Sequence, residues 1–456
     1  MYLQTVDPST GRPLARYPKH DAQAIDVILE RGARGAEAMR ALGMDERAAL
    51  LRALARRVEE RVEAWALRMV EEVGKPIAQA RGEAKKCVWV CEHYAETGAR
   101  DLAADEVDVG GPRARVVYEP LGLVLALMPW NYPMWQVLRF AAPALMAGNG
   151  FVLRHADNST GCGEDLEALF RDAGFPDGVG LQIRTNHETV AEIIGDDRVA
   201  AVTLTGSTAA GRAVASVAGQ HLKPCVLELG GSDPFVVLSD ADVARAAEVG
   251  AKARLQNNGQ SCIAAKRFVV VASQADAFVA AFREHLAAAV SGDPRHEETT
   301  LGPLARADLR DALQEQVQAS VQAGARCVLG GEVPDGEGFY YPATLLLDCA
   351  PGMPAWDDEV FGPVAAVRVV ADDEAALEAA VHPTYGLGAS IWTDPERVDA
   401  IAPRIQAGAA FFNAMTASDP RVPFGGIKAS GYGRELGKHG LHSFVNAKTV
   451  WVAATE

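Results

Sequence analysis

Leu123-Val124-Leu125-Ala126-Leu127 runs into Pro129-Trp130-Asn131-Tyr132-Pro133, and a helical stretch follows from Met134 to Ala147. The apolar run reads as a strand, and the proline-bounded pentapeptide ends it and starts the helix. The same alternation continues in the strands Phe151-Val152-Leu153-Arg154 and Ala201-Val202-Thr203-Leu204 and the helix Ala209 to Val217. Strands alternating with helices are the pattern of a parallel, doubly wound sheet. Upstream, residues 21 to 104 carry apolar residues at helical spacing with few breakers, which predicts a helical opening segment. Downstream, Arg267-Phe268-Val269-Val270-Val271, the helix Ala275 to Ala289, and strands at Ala365 to Val370 and Ala389 to Trp392 predict a second α/β domain.

The 456 residues exceed the size at which a single core stops growing, so two or three domains are expected. With 49% hydrophobic, 23% charged and 7% aromatic residues, the composition is that of an ordinary soluble protein, and a formal charge of −16 argues against a nucleic-acid or anionic-membrane surface. There is no apolar run of membrane-spanning length, and the amino terminus lacks the basic and apolar regions of a signal peptide. Seven cysteines scattered over the chain suit a reducing compartment, and a cytoplasmic location is expected. Cys87 and Cys91, four apart, could face a metal from one helix, but no second pair at zinc spacing follows. Two packed thiols and no metal are therefore expected. No tandem repeat or low-complexity linker separates the domains.

Several loops sit where ligands bind in such sheets. Thr205-Gly206-Ser207-Thr208-Ala209-Ala210-Gly211 follows a strand and opens a helix, where a helix amino terminus can meet a pyrophosphate; a simple capping turn would look the same. Asn131 stands at a strand's carboxyl edge, where its amide can donate to an oxyanion or merely form a turn. Glu359-Val360-Phe361 places a carboxylate two residues from an aromatic ring, able to hold a ribose and press on a flat ring; the alternative is the start of a strand with a bulge.

The chemistry concentrates in Gln256-Asn257-Asn258-Gly259-Gln260-Ser261-Cys262-Ile263-Ala264-Ala265, a small-polar loop around one thiol. A thiolate nucleophile needs a polar, partly open pocket, and the thioester that follows needs a base to activate water. Glu228, in Leu227-Glu228-Leu229-Gly230-Gly231, lies 34 positions before Cys262 and is the candidate base. Together the two segments predict covalent catalysis on a carbonyl.

With these motifs and Pro423-Phe424-Gly425-Gly426-Ile427-Lys428 through Glu435, the chain resembles the NAD(P)-dependent aldehyde dehydrogenases over nearly its whole length. The resemblance implies two doubly wound α/β domains with a small β oligomerisation flap: a dinucleotide-binding domain over 1–103 and 122–229, a catalytic domain over 230–435, and oligomerisation strands at 104–121 and 436–456. It implies Cys262 as nucleophile, Asn131 with the Cys262 backbone N–H as oxyanion donors, and Glu228 as the base for hydrolysis. It places Trp130 beside the nicotinamide, Gly206 and Ser207 at the pyrophosphate, Leu229 near the nicotinamide amide, Glu359 on the ribose and Phe361 against the ring. At the adenosine end, Arg154 and Asp157 replace the Lys and Glu usual in the family. A carboxylate favours the free 2′-hydroxyl of NAD and an arginine the 2′-phosphate of NADP, so NAD or NADP is expected, with a lean to NAD.

The Gly230-Gly231-Ser232-Asp233-Pro234 segment and the nucleophile loop resemble a bacterial branch of succinate-semialdehyde dehydrogenases. There Arg139 would bind the substrate's distal carboxylate, flanked by Ser261; a second arginine is replaced by Gln256, and Arg421 could substitute or simply be a surface residue. The expected partner is thus a small aldehyde with an ω-carboxylate, with uncharged aldehydes as the alternative. Oligomerisation as a homodimer or homotetramer is implied through strands near Val107 to Glu119 and the tail Asn446 to Val452. Glu228 argues against a CoA-acylating enzyme, the absence of a paired histidine against a cysteine hydrolase, and the three residues Cys262, Glu228 and Asn131 together against a silent structural relative.

Overall fold

The computed structural model describes residues 1–110 and 113–453. The chain opens with a hairpin of β1 (Tyr2–Asp7) and β2 (Arg12–Pro18), an element the sequence reading missed. Four helices follow: α1 (Ala22–Ala41), α2 (Met44–Glu59), α3 (Val62–Val73) and α4 (Ile77–Asp101). They realise the expected helical segment.

After β3 (Asp105–Asp108) and β4 (Arg113–Pro120), the first large sheet is built. Its elements are β5 (Leu123–Met128), α5 (Trp135–Met146), β6 (Gly150–His155), α6 (Thr160–Asp172), β7 (Leu181–Gln182), α7 (His187–Gly195), β8 (Val199–Thr205), α8 (Thr208–Gln220) and β9 (Cys225–Glu228). The strands from this segment pair in parallel in the order β9-β8-β5-β6-β7. Alternate residues of β5 explain the two covered faces: Val124 and Ala126 enter one apolar core with Phe151 and Leu153, while Leu123, Leu125 and Leu127 enter another with Val152 and Val202. A strand buried on both faces needs an unbroken apolar run, and that is what the opening pentapeptide supplies.

The second sheet begins beyond residue 230 with β10 (Pro234–Val237), α9 (Val243–Leu255), β11 (Arg267–Val271), α10 (Ala275–Ala287) and α11 (Ala307–Gln322). It continues through β12 (Arg326–Leu329), β13 (Thr344–Leu347), α12 (Pro354–Asp357), β14 (Val364–Val370), α13 (Asp373–Ala380), β15 (Gly388–Trp392), α14 (Val398–Ile401) and β16 (Ala409–Phe412). The order is β12-β13-β14-β11-β10-β15-β16, parallel except at the β12–β13 edge. Phe235 and Val237 of β10 face one core and Val236 the other, so this sheet too is covered on both sides. The chain then returns to the first sheet through β17 (Gly431–Tyr432), antiparallel to β9.

Past α15 (Gly437–His442), the tail strand β18 (Val445–Val452) finds its mate within the same chain: it pairs antiparallel with β4, giving a three-stranded sheet β18-β4-β3. Residues 111–112 and 454–456 of the expected oligomerisation strands lie outside the described residues. Cys87 and Cys91 are buried in the packed face of α4. No helix among the described residues is long and apolar enough to cross a membrane.

Candidate active site

The nucleophile loop lies between α9 and β11, and its shape is set by three consecutive residues with left-handed backbone, Asn257 (φ 54), Asn258 (φ 56) and Gly259 (φ 73). Asparagine tolerates this region better than other side chains with a Cβ, and here each amide is also tied down. Asn257 Nδ2 donates to the Asn131 carbonyl at 2.7 Å and to the Gln260 carbonyl at 2.9 Å. Asn258 Nδ2 donates to the carbonyls of Gly74 and Pro303, each at 2.9 Å, and its Oδ1 accepts from Gly302 N at 2.7 Å. A sharp, over-determined bend therefore presents Cys262, half-buried, at the start of the next segment.

Lys266 holds the loop from behind. Its buried Nζ donates to the carbonyls of Ser261 (3.1 Å), Cys262 (2.8 Å) and Ala264 (3.1 Å), and it stands 4.0 Å from Glu359 Oε1. Sequence reasoning missed this residue, although a lysine leading into an apolar strand is a visible anomaly. A buried ammonium must find acceptors, and backbone carbonyls of a tight loop are the ones available.

Two cavities bear on the site, and this loop walls the first of them. One, of 640 Å³, is lined by Cys262, Ser261, Gln256, Tyr132, Trp135, Gln136, Arg139 and Phe424, with Lys75, Glu83 and Lys86 of the α3–α4 region behind them. The other, of 450 Å³, is lined by Trp130, Arg154, Thr205, Gly206 and the first turns of α8, at the carboxyl edge of β5 and β8. Consecutive residues serve both: Trp130 faces the second and Tyr132 the first. Asn131, buried between them, donates through Nδ2 to the Gln260 carbonyl (3.1 Å) and accepts from Gln136 Nε2 on Oδ1 (3.1 Å). That leaves the second hydrogen of its amide for an oxyanion.

Of the residues expected at the coenzyme, Trp130, Arg154 and Gly206 line the second cavity, at the strand edge where dinucleotides bind in such sheets, while Asp157, Ser207, Leu229, Glu359 and Phe361 lie outside its lining. Ser207 caps α8 by accepting from Ala210 N at 3.2 Å, and the first N–H groups of that 13-residue helix have no partner of their own within it. Trp130 and Phe361 meet edge to face at 5.7 Å, both only partly buried. Glu359 accepts from Gly231 N at 3.1 Å, with its second carboxylate oxygen beside Gly230. Leu229 is buried next to Gly211 of α8, its N–H donating to the Ser430 carbonyl at 3.0 Å. At the far end, Arg154 donates to Asp157 Oδ1 at 2.7 Å and to the carbonyls of His155 and Thr185.

The acid and base groups sit in a dry environment. Burial pushes the Cys262 thiol up to about 12, with Arg139 and Lys266 opposing the rise. Burial raises the Glu228 carboxyl well above the usual carboxylate range, and the charge of Glu435 adds to it; neither oxygen of Glu228 has a hydrogen-bond partner. The thiol is therefore protonated at neutral pH in this geometry, and the carboxyl is biased toward its neutral form. Glu228 lies outside the lining of the 640 Å³ cavity, its Oε1 against Gly425, where φ is +149 and an added Cβ would stand 2.5 Å away.

Two expected substrate contacts find other partners. Arg139 is buried and ion-paired with Glu435, donates to Thr205 Oγ1 at 3.1 Å, and stacks 4.6 Å over Phe424. It lines the cavity, but not as a free cation. Arg421 does not reach the cavity at all: it is exposed, bonded to Asp419 at 2.6 and 2.9 Å, and lies 5.4 Å over Trp89. A carboxylate two residues away on the same turn captures it first. Among the described residues no group of three His, Cys, Asp or Glu is placed to hold a metal ion.

A thiol in the wall of a substrate-sized cavity, two cavities being joined by a turn whose Trp130 lines the second at the carboxyl edge of the sheet, fits the class of enzyme that oxidises a carbonyl through a covalent intermediate. The profile described as "Aldehyde dehydrogenase family" matches residues 1–450, and the chain belongs to that family. It is 46% identical over 448 residues to the succinate semialdehyde dehydrogenase [NAD(P)+] Sad of Escherichia coli, covering 98% of this chain and 97% of that protein. It is 45% identical over 454 residues to a probable succinate-semialdehyde dehydrogenase [NADP(+)] of Synechocystis, covering 99% and 100%. Among solved structures, it superposes with a TM-score of 0.96 on succinic semialdehyde dehydrogenase from Streptococcus pyogenes in complex with NADP+, at 33% identity, covering 99% of this chain and 100% of that one.

Proposed function

We propose that this chain oxidises succinate semialdehyde, or a closely similar ω-carboxylate semialdehyde, to the carboxylic acid with NAD+ or NADP+. The observation that carries the reading is Cys262 in the wall of one cavity beside Tyr132, with Trp130, two residues away, in the wall of a second at the carboxyl edge of β5 and β8. The relatives at 43 to 46% identity over the full chain, all bearing the name succinate-semialdehyde dehydrogenase, support the substrate and the coenzyme pair.

In this reading the Cys262 proton leaves to water, and Sγ forms a bond to the aldehyde carbon. The carbonyl oxygen takes up the charge within reach of the free Asn131 N–H and the Cys262 backbone N–H, donors already fixed by the Gln136 and Lys266 contacts. Trp130, Glu359 and Phe361 would hold a nicotinamide, with Gly206 and Ser207 at its pyrophosphate, and the bound coenzyme would supply the acceptor for the hydride. Cys262 is then left as a thioester. Glu228 takes a proton from water, the water oxygen adds to the acyl carbon, the C–S bond breaks, and the acid departs with the thiol restored. Because burial disfavours the charged form of Glu228, its action as a base draws on water or a displaced Arg139–Glu435 pair to stabilise its charge.

Following reduced-nicotinamide absorbance with succinate semialdehyde and with butanal, each with NAD+ and NADP+, beside Cys262→Ala, tests the reading. A cysteine-dependent signal with higher kcat/KM for the semialdehyde is expected. A signal favouring butanal would move the assignment to uncharged aldehydes.

Association of two or four copies through the β18-β4-β3 sheet is part of the proposal. Support comes from the exposed Val107, Trp451 and Val452 on its outer strands, apolar groups that a second copy would cover. The mass by light scattering decides it.

A further inference from the structure

Three cationic side chains line the cavity in front of Cys262 with their heads withdrawn from bulk water: Lys75, Lys86 and Arg139. Two of the charges are cancelled inside the wall, Lys75 by Glu83 and Arg139 by Glu435. Lys86 is not. Its Nζ donates to Ser418 Oγ at 2.8 Å and stands 4.4 Å over the Trp135 ring, and among the described residues no carboxylate oxygen comes within 4.0 Å of it. A mostly buried ammonium whose only polar partner is a hydroxyl is a costly arrangement unless something anionic arrives.

We propose that Lys86, with the Ser418 hydroxyl beside it, receives the distal carboxylate of the aldehyde, while Arg139 is a positioning residue tied to Glu435 and Thr205. The inference rests on the semialdehyde reading above. It gives the cavity a withdrawn cation not already committed to a carboxylate of the protein, the other lysine in the lining that is unpaired among the described residues, Lys252, being exposed. The surroundings agree: burial, and after it the charge of Arg139, press the Lys86 ammonium down to about 8, so an incoming carboxylate relieves an existing imbalance. Trp135 supplies a ring face for the ammonium and one wall for the carbon chain. The assignment also explains why Arg421 is not needed: its loop contributes Ser418 to the cavity instead.

The test is the ratio of kcat/KM for succinate semialdehyde over butanal in the wild type, Lys86→Met and Lys86→Arg. Lys86→Met is expected to lower that ratio about 10- to 100-fold, the range for losing one charge-assisted hydrogen bond, chiefly through KM, with Lys86→Arg recovering part of it. A Lys86→Met ratio within about twofold of the wild type overturns the assignment. A wild type without preference for the semialdehyde would instead sink the substrate reading, whatever Lys86 does. If Lys86→Met turns over neither aldehyde, the wild-type pH profile decides: the ratio holds below pH 8 and falls above it, and a ratio flat to pH 10 overturns the proposal. The groups facing Lys86 are Glu83 and Cys87 on its own helix, Arg139 on α5 and Asp419 on the opposing loop; Cys262 serves both aldehydes and cancels in the ratio.

Discussion

The Arg154 guanidinium donates to the Asp157 carboxylate across 2.7 Å, so the two side chains expected to contest the adenosine ribose are bonded to each other. Asp157 is half-exposed and outside the lining of the second cavity, whereas the nearly buried Arg154 is part of that lining. Asp157→Ser removes the competitor for the guanidinium and the repulsion against a 2′-phosphate at once. Its kcat/KM ratio for NADP+ over NAD+ should rise about 3- to 10-fold, read from initial rates with each coenzyme. An unchanged ratio would mean that Arg154 does not reach the 2′ position.

Lys266→Met should slow turnover more than it weakens substrate binding. Three carbonyls of the Ser261 to Ala264 turn lose their donor, and the Cys262 N–H and Sγ lose their fixed direction. About a 10- to 100-fold fall in kcat with a smaller change in KM is expected, together with a lower melting temperature. A KM effect alone would assign Lys266 to Glu359 and the coenzyme side.

Alkylation of Cys262 by iodoacetamide in the coenzyme-free enzyme should climb with pH, about tenfold per unit between pH 7 and 9, since burial lifts the thiol to about 12 and the reactive thiolate grows in proportion. A plateau beginning below pH 8 would show that a neighbouring base already carries the proton.

Glu228→Gln should separate stability from hydrolysis. The folded protein holds this carboxyl above its ordinary range, so burying it costs free energy that begins above the unfolded value near 4.5 and grows until the folded value is passed. Glutamine removes that cost, and the melting temperature at pH 8 should rise by about 1 to 3 °C, the gain vanishing toward pH 4. Steady-state turnover should fall about 100-fold while a first-turnover burst of reduced nicotinamide survives. Loss of the burst would place Glu228 before the thioester.

How much of this was legible depended on whether the signal was local. The β5 pentapeptide sends successive side chains to two different cores, and a run with no polar interruption is the only sequence that can do so. The sequence drew attention to Cys262 and Asn131 through turns of unusual composition, and to Glu228 because it ends β9 directly before Leu229-Gly230-Gly231. Arg139 was placed in the right cavity, but its pairing with Glu435 joins α5 to a segment almost 300 residues later, and no local pattern announces such a contact. The same holds for Lys86 and Ser418, which meet across 332 positions. The β1–β2 hairpin escaped because its second strand is largely exposed, polar and proline-bounded, so its alternation is weak.

The turn at Trp130, Asn131 and Tyr132 has a thermodynamic consequence. One rigid tripeptide forms part of both cavities, so any shift that a dinucleotide imposes on Trp130 is felt by an aldehyde at Tyr132. Reciprocity then requires the aldehyde to change the dinucleotide's affinity by the same factor. A substitution within this turn is therefore expected to alter the coupling between the two ligands, read as the change in one dissociation constant when the other ligand is present.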